Sequence, residues 1–208
     1  MDQPLKTPGL SALDDAFHAM FDASRADGTP ALAVRLDRLK RLRALISENE
    51  GRLEQAISAD FGHRSSVETN IAETLFLYVE IKHAAKYLKQ WMAPRRIPTS
   101  LQFLPARNRL IPQPLGVVGI IAPWNYPLQL TLAPAIGALA AGNRIMIKPS
   151  ELTPHFSALL KELVAQKFDP TEMLVTENEA RFVQAISADF GHRSPVETLF
   201  AETLFVLG

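Results

Sequence analysis

Apolar residues at helical spacing run through the first ninety positions of the chain. Leu32, Leu36, Leu39, Leu42 and Ile46 recur every three or four residues, which predicts helix over residues 11–57. A second stripe predicts another long helix over residues 66–90, and residues 60–65 between the two predict a turn. The members of the second stripe are Val67, Ile71, Leu75, Ile81, Ala85 and Leu88. Residues 1–92 are therefore expected to form an N-terminal helical part.

A run of basic residues accompanies the first apolar stripe. Such a run usually marks a solvated helix face, and that is the interpretation favoured here. Phosphate binding is the alternative. The run consists of Arg35, Arg38, Lys40, Arg41 and Arg43.

The pattern changes to a proline-rich stretch over residues 94–114. Two short strands are predicted there, over residues 101–104 and 109–111. Because proline cannot donate to a strand ladder, such strands belong at an edge or in an arm. Residues 93–115 are therefore expected to form a short β arm.

Short apolar runs then alternate with helical periodicity. Residues 117–122 and 144–147 predict strands buried on both faces, and residues 127–141 predict the helix between them. Thr153 and Pro154 suit the N-cap and the first position of a further helix that extends to about Lys167. Residues 173–175 predict a third strand. This β-α-β-α-β order predicts an α/β fold with a partial Rossmann-like, doubly wound parallel sheet over residues 116–176.

The chain contains one widely separated internal repeat. Residues 177–206 repeat residues 48–77, and 23 of the 30 positions are identical. Solenoids need three or more tandem repeats, so a duplication or recombination explains this single pair better. Residues 177–208 are expected to be helical, like the segment that they copy, and to stop before that helix is complete.

Composition narrows the function classes. The 208 residues contain 22 Lys and Arg against 22 Asp and Glu, so a nucleic-acid partner is not expected. Prolines interrupt the long uncharged stretch over residues 110–143, so no membrane span is expected either. The first residues lack an apolar leader pattern, which favours the cytoplasm. There is no cysteine, and no histidine lies at a metal-ligand spacing, so no metal site is expected.

Two polar segments follow the first two predicted strands. Asn125, within Pro123-Trp124-Asn125-Tyr126-Pro127, lies at the strand end where α/β sheets bind ligands. Its side-chain amide suits an oxyanion hole, and a plain helix N-cap is the alternative. Lys148 and Glu151, within Lys148-Pro149-Ser150-Glu151, suit the ribose hydroxyls of an adenine nucleotide. A surface turn with an ion pair is the alternative there.

These segments carry a family resemblance. Residues 116–154, GVVGIIAPWNYPLQLTLAPAIGALAAGNRIMIKPSELTP, resemble the first half of the cofactor domain of NAD(P)-dependent aldehyde dehydrogenases. The stretch ISADFGHRS, the helix after it and residues 93–116 resemble the coniferyl aldehyde dehydrogenase branch of that family. The resemblance covers about residues 10–175.

The resemblance implies roles for individual residues. Asn125 matches the family's oxyanion-hole asparagine, and Lys148 and Glu151 match the pair that contacts the adenine ribose. The cofactor is NAD or NADP, the substrate is a small-molecule aldehyde, and residues 94–114 match the family's oligomerisation arm. The residues implied in cofactor binding are Ile121, Ala122, Pro123, Trp124, Lys148, Ser150 and Glu151.

The sequence also departs from the family pattern. The family reaction uses a cysteine thiolate as nucleophile and a glutamate as base, and hydride passes to NAD(P) between those steps. Here the repeat stands where a glycine-rich phosphate turn would follow, and no cysteine is present. We therefore expect weak or absent cofactor binding and no turnover by this chain. The alternative is an inactive nucleotide-binding or subunit-interaction fragment, as a homo-oligomer or with an intact dehydrogenase subunit.

Overall fold

The fold is that of a computed structural model, which describes residues 8–176. The predicted helical repeat over residues 177–208 lies outside the described residues.

A three-stranded parallel sheet forms the centre of the fold. Its strands are β3 (Val117–Ile121), β4 (Arg144–Lys148) and β5 (Met173–Val175), in the order β3-β4-β5. The connecting helices are α6 (Pro127–Ala141) and α7 (Pro154–Lys167). These elements confirm the predicted β-α-β-α-β order and the α/β class.

Both faces of this sheet are covered. Ile120, Ile145 and Ile147 contribute to the main core with α6 and α7. The alternate residues Met146 and Leu174 pack on the other face with α1 (Pro8–Asp27). Because side chains alternate across a strand, continuous apolar runs supply both cores. The second face is thus covered by an N-terminal helix rather than by a crossover helix.

The N-terminal helical part is more divided than the periodicity predicts. The single helix predicted over residues 11–57 is wrong, because α1, α2 (Leu32–Ser47) and α3 (Glu50–Phe61) are separate helices. Gly28, with φ +61°, and Pro30 interrupt the helix between α1 and α2. Glu48 and Asn49 separate α2 from α3. The predicted α2 stripe is confirmed, and its members Leu39, Leu42 and Ile46 are fully buried.

The predicted length of the second long helix is confirmed. The set of residues predicted to face inward is only partly correct. It runs through α4 (Ser66–Thr69), a π turn (Asn70–Thr74) and α5 (Leu75–Trp91). Ile81 and Leu88 are buried as predicted, but Ala85 is exposed. Val67, Ile71 and Leu75 are also exposed, and polar Thr69, Glu73 and Thr74 face inward instead. The reason is that Glu73 serves as a buried hydrogen-bond acceptor for α6.

The basic run on α2 is not a solvated face. Arg35 and Arg38 are only 4% and 2% exposed. Arg35 Nη1 donates to the carbonyl of Ala140 at 3.0 Å, next to the left-handed Gly142 that ends α6. A Cβ at Gly142 would lie 2.8 Å from the Arg35 guanidinium carbon. These buried arginines satisfy helix-end carbonyls and a carboxylate, so the prediction of a solvated face is wrong for them.

The proline-rich segment forms a small antiparallel pair. Its strands are β1 (Arg95–Ile97) and β2 (Asn108–Leu110), with Arg95 opposite Leu110. The strand predicted over residues 101–104 is wrong, because Leu101–Phe103 is a 3-10 turn. Prolines on both sides of residues 101–104 explain this, because they interrupt strand pairing. The second predicted strand is confirmed to within one residue.

Within residues 8–176, no helix is long and apolar enough to cross a membrane. The same part of the chain contains no group of three or more His, Asp and Glu side chains that could hold a metal ion.

Glu172 ties α2 to the sheet just before β5. Its carboxylate accepts from Arg38 Nε at 3.0 Å and from Arg41 Nη1 at 2.7 Å. Burial acts to raise the pKa of Glu172, but the hydrogen bonds and charges of Arg41 and Arg38 outweigh it and hold the pKa below its usual value. Ionised Glu172 therefore stabilises the fold at neutral pH, and this contribution is lost as the pH falls through the carboxyl's titration range.

We therefore expect Glu172→Gln to lower the free energy of unfolding by about 2 kcal/mol at neutral pH, because charge-assisted hydrogen bonds are lost. The difference from the unsubstituted chain should shrink as the pH falls towards about 3. Urea unfolding at several pH values measures this. Glu162→Gln is the control, because its pair with Arg52 is half exposed and should contribute under about 1 kcal/mol. A Glu172→Gln effect that is the same at every pH would contradict this account.

Candidate functional site

The two polar segments singled out from the sequence lie side by side at the carboxyl edge of the sheet. β3 and β4 are parallel, and Ile121 stands opposite Lys148 in their register. The backbone N–H of Ala122 donates to the carbonyl of Lys148 at 3.0 Å. The loop before α6 and the loop before α7 therefore leave the sheet from adjacent positions.

The loop after β3 presents its side chains to solvent. Pro123, Trp124 and Asn125 are exposed, while Ala122 is buried. The Trp124 ring lies 6.0 Å from the ring of Phe61, which supports one side of the loop. The side-chain amide of Asn125 makes no hydrogen bond within residues 8–176, although its backbone carbonyl does. The amide is therefore available at the sheet edge.

The helix N-cap alternative for Asn125 does not hold. The N-cap position of α6 is Tyr126, which makes no side-chain cap hydrogen bond. The N–H groups of Leu128 and Gln129 donate instead to Glu73 Oε2, at 2.7 and 3.1 Å. The cap thus comes from a residue more than fifty positions earlier in the chain.

Glu73 and Arg64 form a buried pair beneath this loop. The Glu73 side chain is 0% exposed, and its Oε1 lies 3.3 Å from Arg64 Nη2. Burial raises the pKa of Glu73, and this outweighs the two backbone N–H groups and the charge of Arg64. Arg64 also donates to the Asn125 carbonyl at 2.8 Å and lies over the rings of Phe61 and Tyr126. This pair fixes the backbone that carries Asn125.

The segment after β4 combines a buried cation with an exposed carboxylate. Lys148 is 2% exposed, and its Nζ lies 2.5 Å from Oε2 of Glu151, whose side chain is 61% exposed. Ser150 is buried, and its carbonyl accepts from the hydroxyls of Thr153 and Ser157. The ion pair of the surface-turn alternative is therefore present, but only the Glu151 end lies at the surface.

The cap of α7 differs from the prediction. Thr153 stands at the N-cap position, but its hydroxyl donates to Ser150 rather than accepting from the helix. Asp60, with a side chain that is 0% exposed, accepts from the N–H groups of His155 and Phe156 at 2.9 Å each. The predicted N-cap position of Thr153 is confirmed, but its side chain does not make the capping hydrogen bond, because a buried carboxylate from α3 accepts from the free N–H groups instead.

Together the two caps decide what the sheet edge can bind. A helix N-terminus with free N–H groups is a ready anion site. Here α6 and α7 each begin with proline, which has no N–H, and their next two N–H groups are bonded to Glu73 or Asp60. The edge therefore exposes the Asn125 amide and the Glu151 carboxylate, with the Lys148 ammonium buried beside that carboxylate, rather than a phosphate cradle.

Asp60, Arg64 and Glu73 are the positioning residues that sequence reasoning missed. The sequence pattern placed Asp60 and Arg64 in a predicted turn, and it did not single out Glu73. All three recur in the repeat, as Asp189, Arg193 and Glu202, but 23 of its 30 positions are unchanged, so recurrence does not single them out.

Comparisons with known proteins agree with this fold. The model of the aldehyde dehydrogenase family matches residues 9–193. A probable coniferyl aldehyde dehydrogenase of Pseudomonas aeruginosa is 44% identical over 170 residues, covering 82% of this chain and 36% of that protein. The coniferyl aldehyde dehydrogenase of a Pseudomonas species is 40% identical, covering 88% of this chain and 38% of that protein. The chain thus spans little more than a third of the length of these curated relatives.

A solved structure also matches the fold of this chain. The substrate-bound state of Staphylococcus aureus AldH matches with a TM-score of 0.77 and 34% identity, over 84% of this chain and 38% of that one.

The Glu73–Arg64 pair yields a stability prediction. Glu73→Ala removes the cap of α6 and leaves Arg64 buried without its partner, so we expect a loss of about 3–5 kcal/mol in the free energy of unfolding. Glu68→Ala is the matched control, because Glu68 also faces Arg64, at 3.5 Å, but is half exposed. It should cost under about 1 kcal/mol. Urea unfolding in dilute solution compares them, and equal losses would show that the buried pair has no special role.

Proposed function

The chain belongs to the aldehyde dehydrogenase family, and from this premise we propose that its residues supply the first part of a cofactor site for oxidising aldehydes to acids with NAD or NADP. One observation carries the proposal: the segments around Asn125 and Lys148 leave the sheet from adjacent strand ends. Ligands of open α/β sheets bind at such an edge. We propose residues 116–176 as the cofactor-binding unit and residues 1–92 as its helical support.

Asn125 is proposed as an oxyanion-stabilising residue. Its amide is exposed at the sheet edge, and the Arg64 hydrogen bond to its carbonyl fixes its backbone. A donor held in place before reaction stabilises developing negative charge on an aldehyde oxygen without reorganisation. Glu73 supports this arrangement as a positioning residue, because it fixes both Arg64 and the start of α6.

Lys148 and Glu151 are proposed to bind the adenine ribose of the cofactor. The ammonium can donate to a ribose hydroxyl, and the carboxylate can accept from one. Ser150 is proposed to hold the turn that carries them, since its carbonyl accepts two hydroxyl groups. Ile121, Ala122, Pro123 and Trp124 are proposed to line the neighbouring wall of the cleft. With both helix N-termini capped by carboxylates, contacts to the ribose are favoured over contacts to phosphate.

The substrate and the mode of assembly are further parts of the proposal. Of the two Pseudomonas relatives named above, one is a coniferyl aldehyde dehydrogenase and the other a probable one, which supports an aromatic aldehyde of that kind. The β1–β2 arm exposes Leu101, Phe103 and Leu104, each at 59% or more. An exposed apolar arm of this kind supports association of subunits through it.

The chemical step needs a nucleophile from elsewhere. The 208 residues contain no cysteine, whereas the reaction implied by the resemblance begins with attack of a thiolate on the aldehyde carbon. We therefore propose that these residues by themselves bind the nucleotide without oxidising the aldehyde.

A thermal melt with and without NAD tests cofactor binding. For a Kd of about 1 mM, about 10 mM NAD adds about 1.4 kcal/mol of stability. For a chain of this size that corresponds to an upward shift of about 3–6 °C in the melting midpoint. Lys148→Met and Glu151→Gln should lose at least half of this shift, whereas Glu162→Gln, with a similarly exposed carboxylate, should keep it. An NAD shift retained in both site variants, or absent from the unsubstituted chain, would contradict the proposed site.

An absorbance assay with NAD and coniferyl aldehyde tests the catalytic part. We expect no NADH above a protein-free blank, because no thiolate is present to form the thioester intermediate. The Pseudomonas coniferyl aldehyde dehydrogenase is the positive control under the same conditions. NADH formation in proportion to chain concentration would show that the 208 residues contain a nucleophile that this account omits.

A further inference from the structure

The basic run on α2 divides into two groups of side chains. Arg35, Arg38 and Arg41 are hydrogen-bonded to helix-end carbonyls or to a carboxylate. Lys40 and Arg43 are exposed, and within residues 8–176 neither side chain has a hydrogen bond or an ion pair. The fold therefore accounts for the inward arginines of this run and leaves Lys40 and Arg43 without a counter-ion.

These two cations lie along a groove between α2 and α5. Each helix contributes residues at the spacing i, i+3, i+4 and i+7, which places them on one helix face. From α2 they are Leu36, Leu39, Lys40 and Arg43. From α5 they are Tyr78, Ile81, Lys82 and Ala85. We call this the α2–α5 groove, and its volume of about 350 Å³ falls at the lower end of the range for small-molecule sites.

The α2–α5 groove has an apolar floor and a basic rim. Leu39 and Ile81 are buried and belong to the main core. Lys40 and Lys82 hold the same i+4 place on their two helices, and both are exposed. Lys82, like Lys40, has no hydrogen bond or ion pair within the part of the chain that the structure describes. Ala85 carries only a methyl group, so the α5 side of the groove stays open.

No lining residue supplies a negative charge to balance this rim. The lining contains three cations, Lys40, Arg43 and Lys82, and no carboxylate. The Glu50 carboxylate contacts one lining residue, but it accepts from the hydroxyl of Tyr78. Burial and this hydrogen bond raise the pKa of Tyr78, so its phenol is neutral at physiological pH. The α2–α5 groove is therefore complementary to a ligand that carries the negative charge itself.

We propose that the α2–α5 groove binds a small aromatic carboxylate. The ring of the ligand lies on the apolar floor, and its carboxylate accepts from the cations of the rim. A bare phosphate ion fits less well, because it leaves the apolar floor in contact with water. Arg43 favours an aromatic body over an aliphatic one, because guanidinium groups stack on rings, as Arg43 does at 5.2 Å from the centroid of Tyr78.

The acid formed from an aromatic aldehyde belongs to this class of ligand. The choice of that acid as a probe rests on the proposed function, whereas the groove and its charges do not. None of the residues proposed for the cofactor or for oxyanion stabilisation lines the groove. The α2–α5 groove is therefore a second site, separate from the sheet edge.

An NMR titration of the full chain with 4-hydroxy-3-methoxycinnamate, the acid that corresponds to coniferyl aldehyde, tests the proposal. We expect saturable shifts of backbone amides in α2 and α5 around Leu39 and Ile81. The Kd should be about 1 mM or lower, as expected for a ligand of about 14 non-hydrogen atoms. The methyl ester keeps the ring and lacks the charge, so it should bind at least about fivefold more weakly. Shifts confined to the sheet edge around Asn125, or no saturable shift in α2 and α5, overturn the proposal.

Substitutions of the rim test the charge contacts. Lys40→Gln and Lys82→Gln each remove one exposed cation, so the Kd should rise about threefold to tenfold. Lys82→Arg keeps the charge and should stay within about twofold. Lys89→Gln is the matched control, because it lies about 10 Å further along α5, beyond the Debye length of about 8 Å at physiological salt. Equal weakening in Lys82→Gln and Lys89→Gln would show a general effect of net charge and contradict the site.

A substitution of the floor tests the groove independently of charge. Ala85→Trp fills the open α5 side with a large ring, so binding of the acid should weaken at least about tenfold. Because Ala85 is exposed, the melting midpoint of this variant should stay near that of the unsubstituted chain. Unchanged binding in Ala85→Trp contradicts a ligand in the groove.

The same variants separate this inference from the proposed function. Lys82→Gln should keep the full rise in melting midpoint that NAD produces, because Lys82 lies outside the cofactor site. A chain that responds to NAD but gives no groove shifts with the acid retains the proposed function and overturns the second site. Groove shifts in a chain that does not respond to NAD retain the second site and overturn the cofactor proposal.

Discussion

Two buried carboxylates hold the carboxyl edge of the sheet to the N-terminal helices. α6 and α7 each start with a proline, and each has its next two N–H groups bonded to one carboxylate, Glu73 or Asp60. The first free N–H groups of a helix must find partners, and when they are buried the partners must come from the protein. Because both partners lie outside the βαβ unit, that unit depends on the preceding helical part for its edge.

The two capping carboxylates also determine which groups the candidate site presents to a ligand. Glu73 is buried with Arg64, and Arg64 in turn fixes the carbonyl of Asn125. The carboxylates occupy the positions where a phosphate would otherwise bind, so the edge is left with side chains suited to neutral polar groups. Lys148 and Glu151 complement this pattern, since one donates and the other accepts at the adjacent strand end. The proposed ligand contacts at this edge are therefore hydrogen bonds to hydroxyl and carbonyl groups.

The sequence alone predicted the helices and strands that are buried through apolar side chains. β3, β4, β5, α6 and α7 lie where continuous or periodic hydrophobic residues predicted them, because apolar burial is decided largely by local pattern. Apart from the helix predicted over residues 11–57, which Gly28 and Pro30 interrupt, the main failures lie where polar groups face inward. The errors concern Arg35 and Arg38 in α2, the face of α4 and the π turn, and the cap of α7.

These errors share one physical cause. A buried polar side chain is stable only with its partner, and here the partners are distant in sequence. Arg38 meets Glu172, 134 residues further along the chain, and Asp60 meets His155 and Phe156, 95 and 96 residues further along. No periodicity within one helix reports such a contact. The strand predicted over residues 101–104 failed for a local reason instead, because Pro98 and Pro105 interrupt strand pairing on both sides.

The capping carboxylates and their arginine lie close together in the sequence. Asp60, Arg64 and Glu73 fall within residues 60–73, and together they serve both helix N-termini. This short segment satisfies four backbone N–H groups, because both capping carboxylates lie within it. The helix N-termini that receive it are defined by backbone geometry and not by particular side chains. The caps therefore depend on how residues 60–73 hold the two carboxylates, and not on the side chains of α6 and α7.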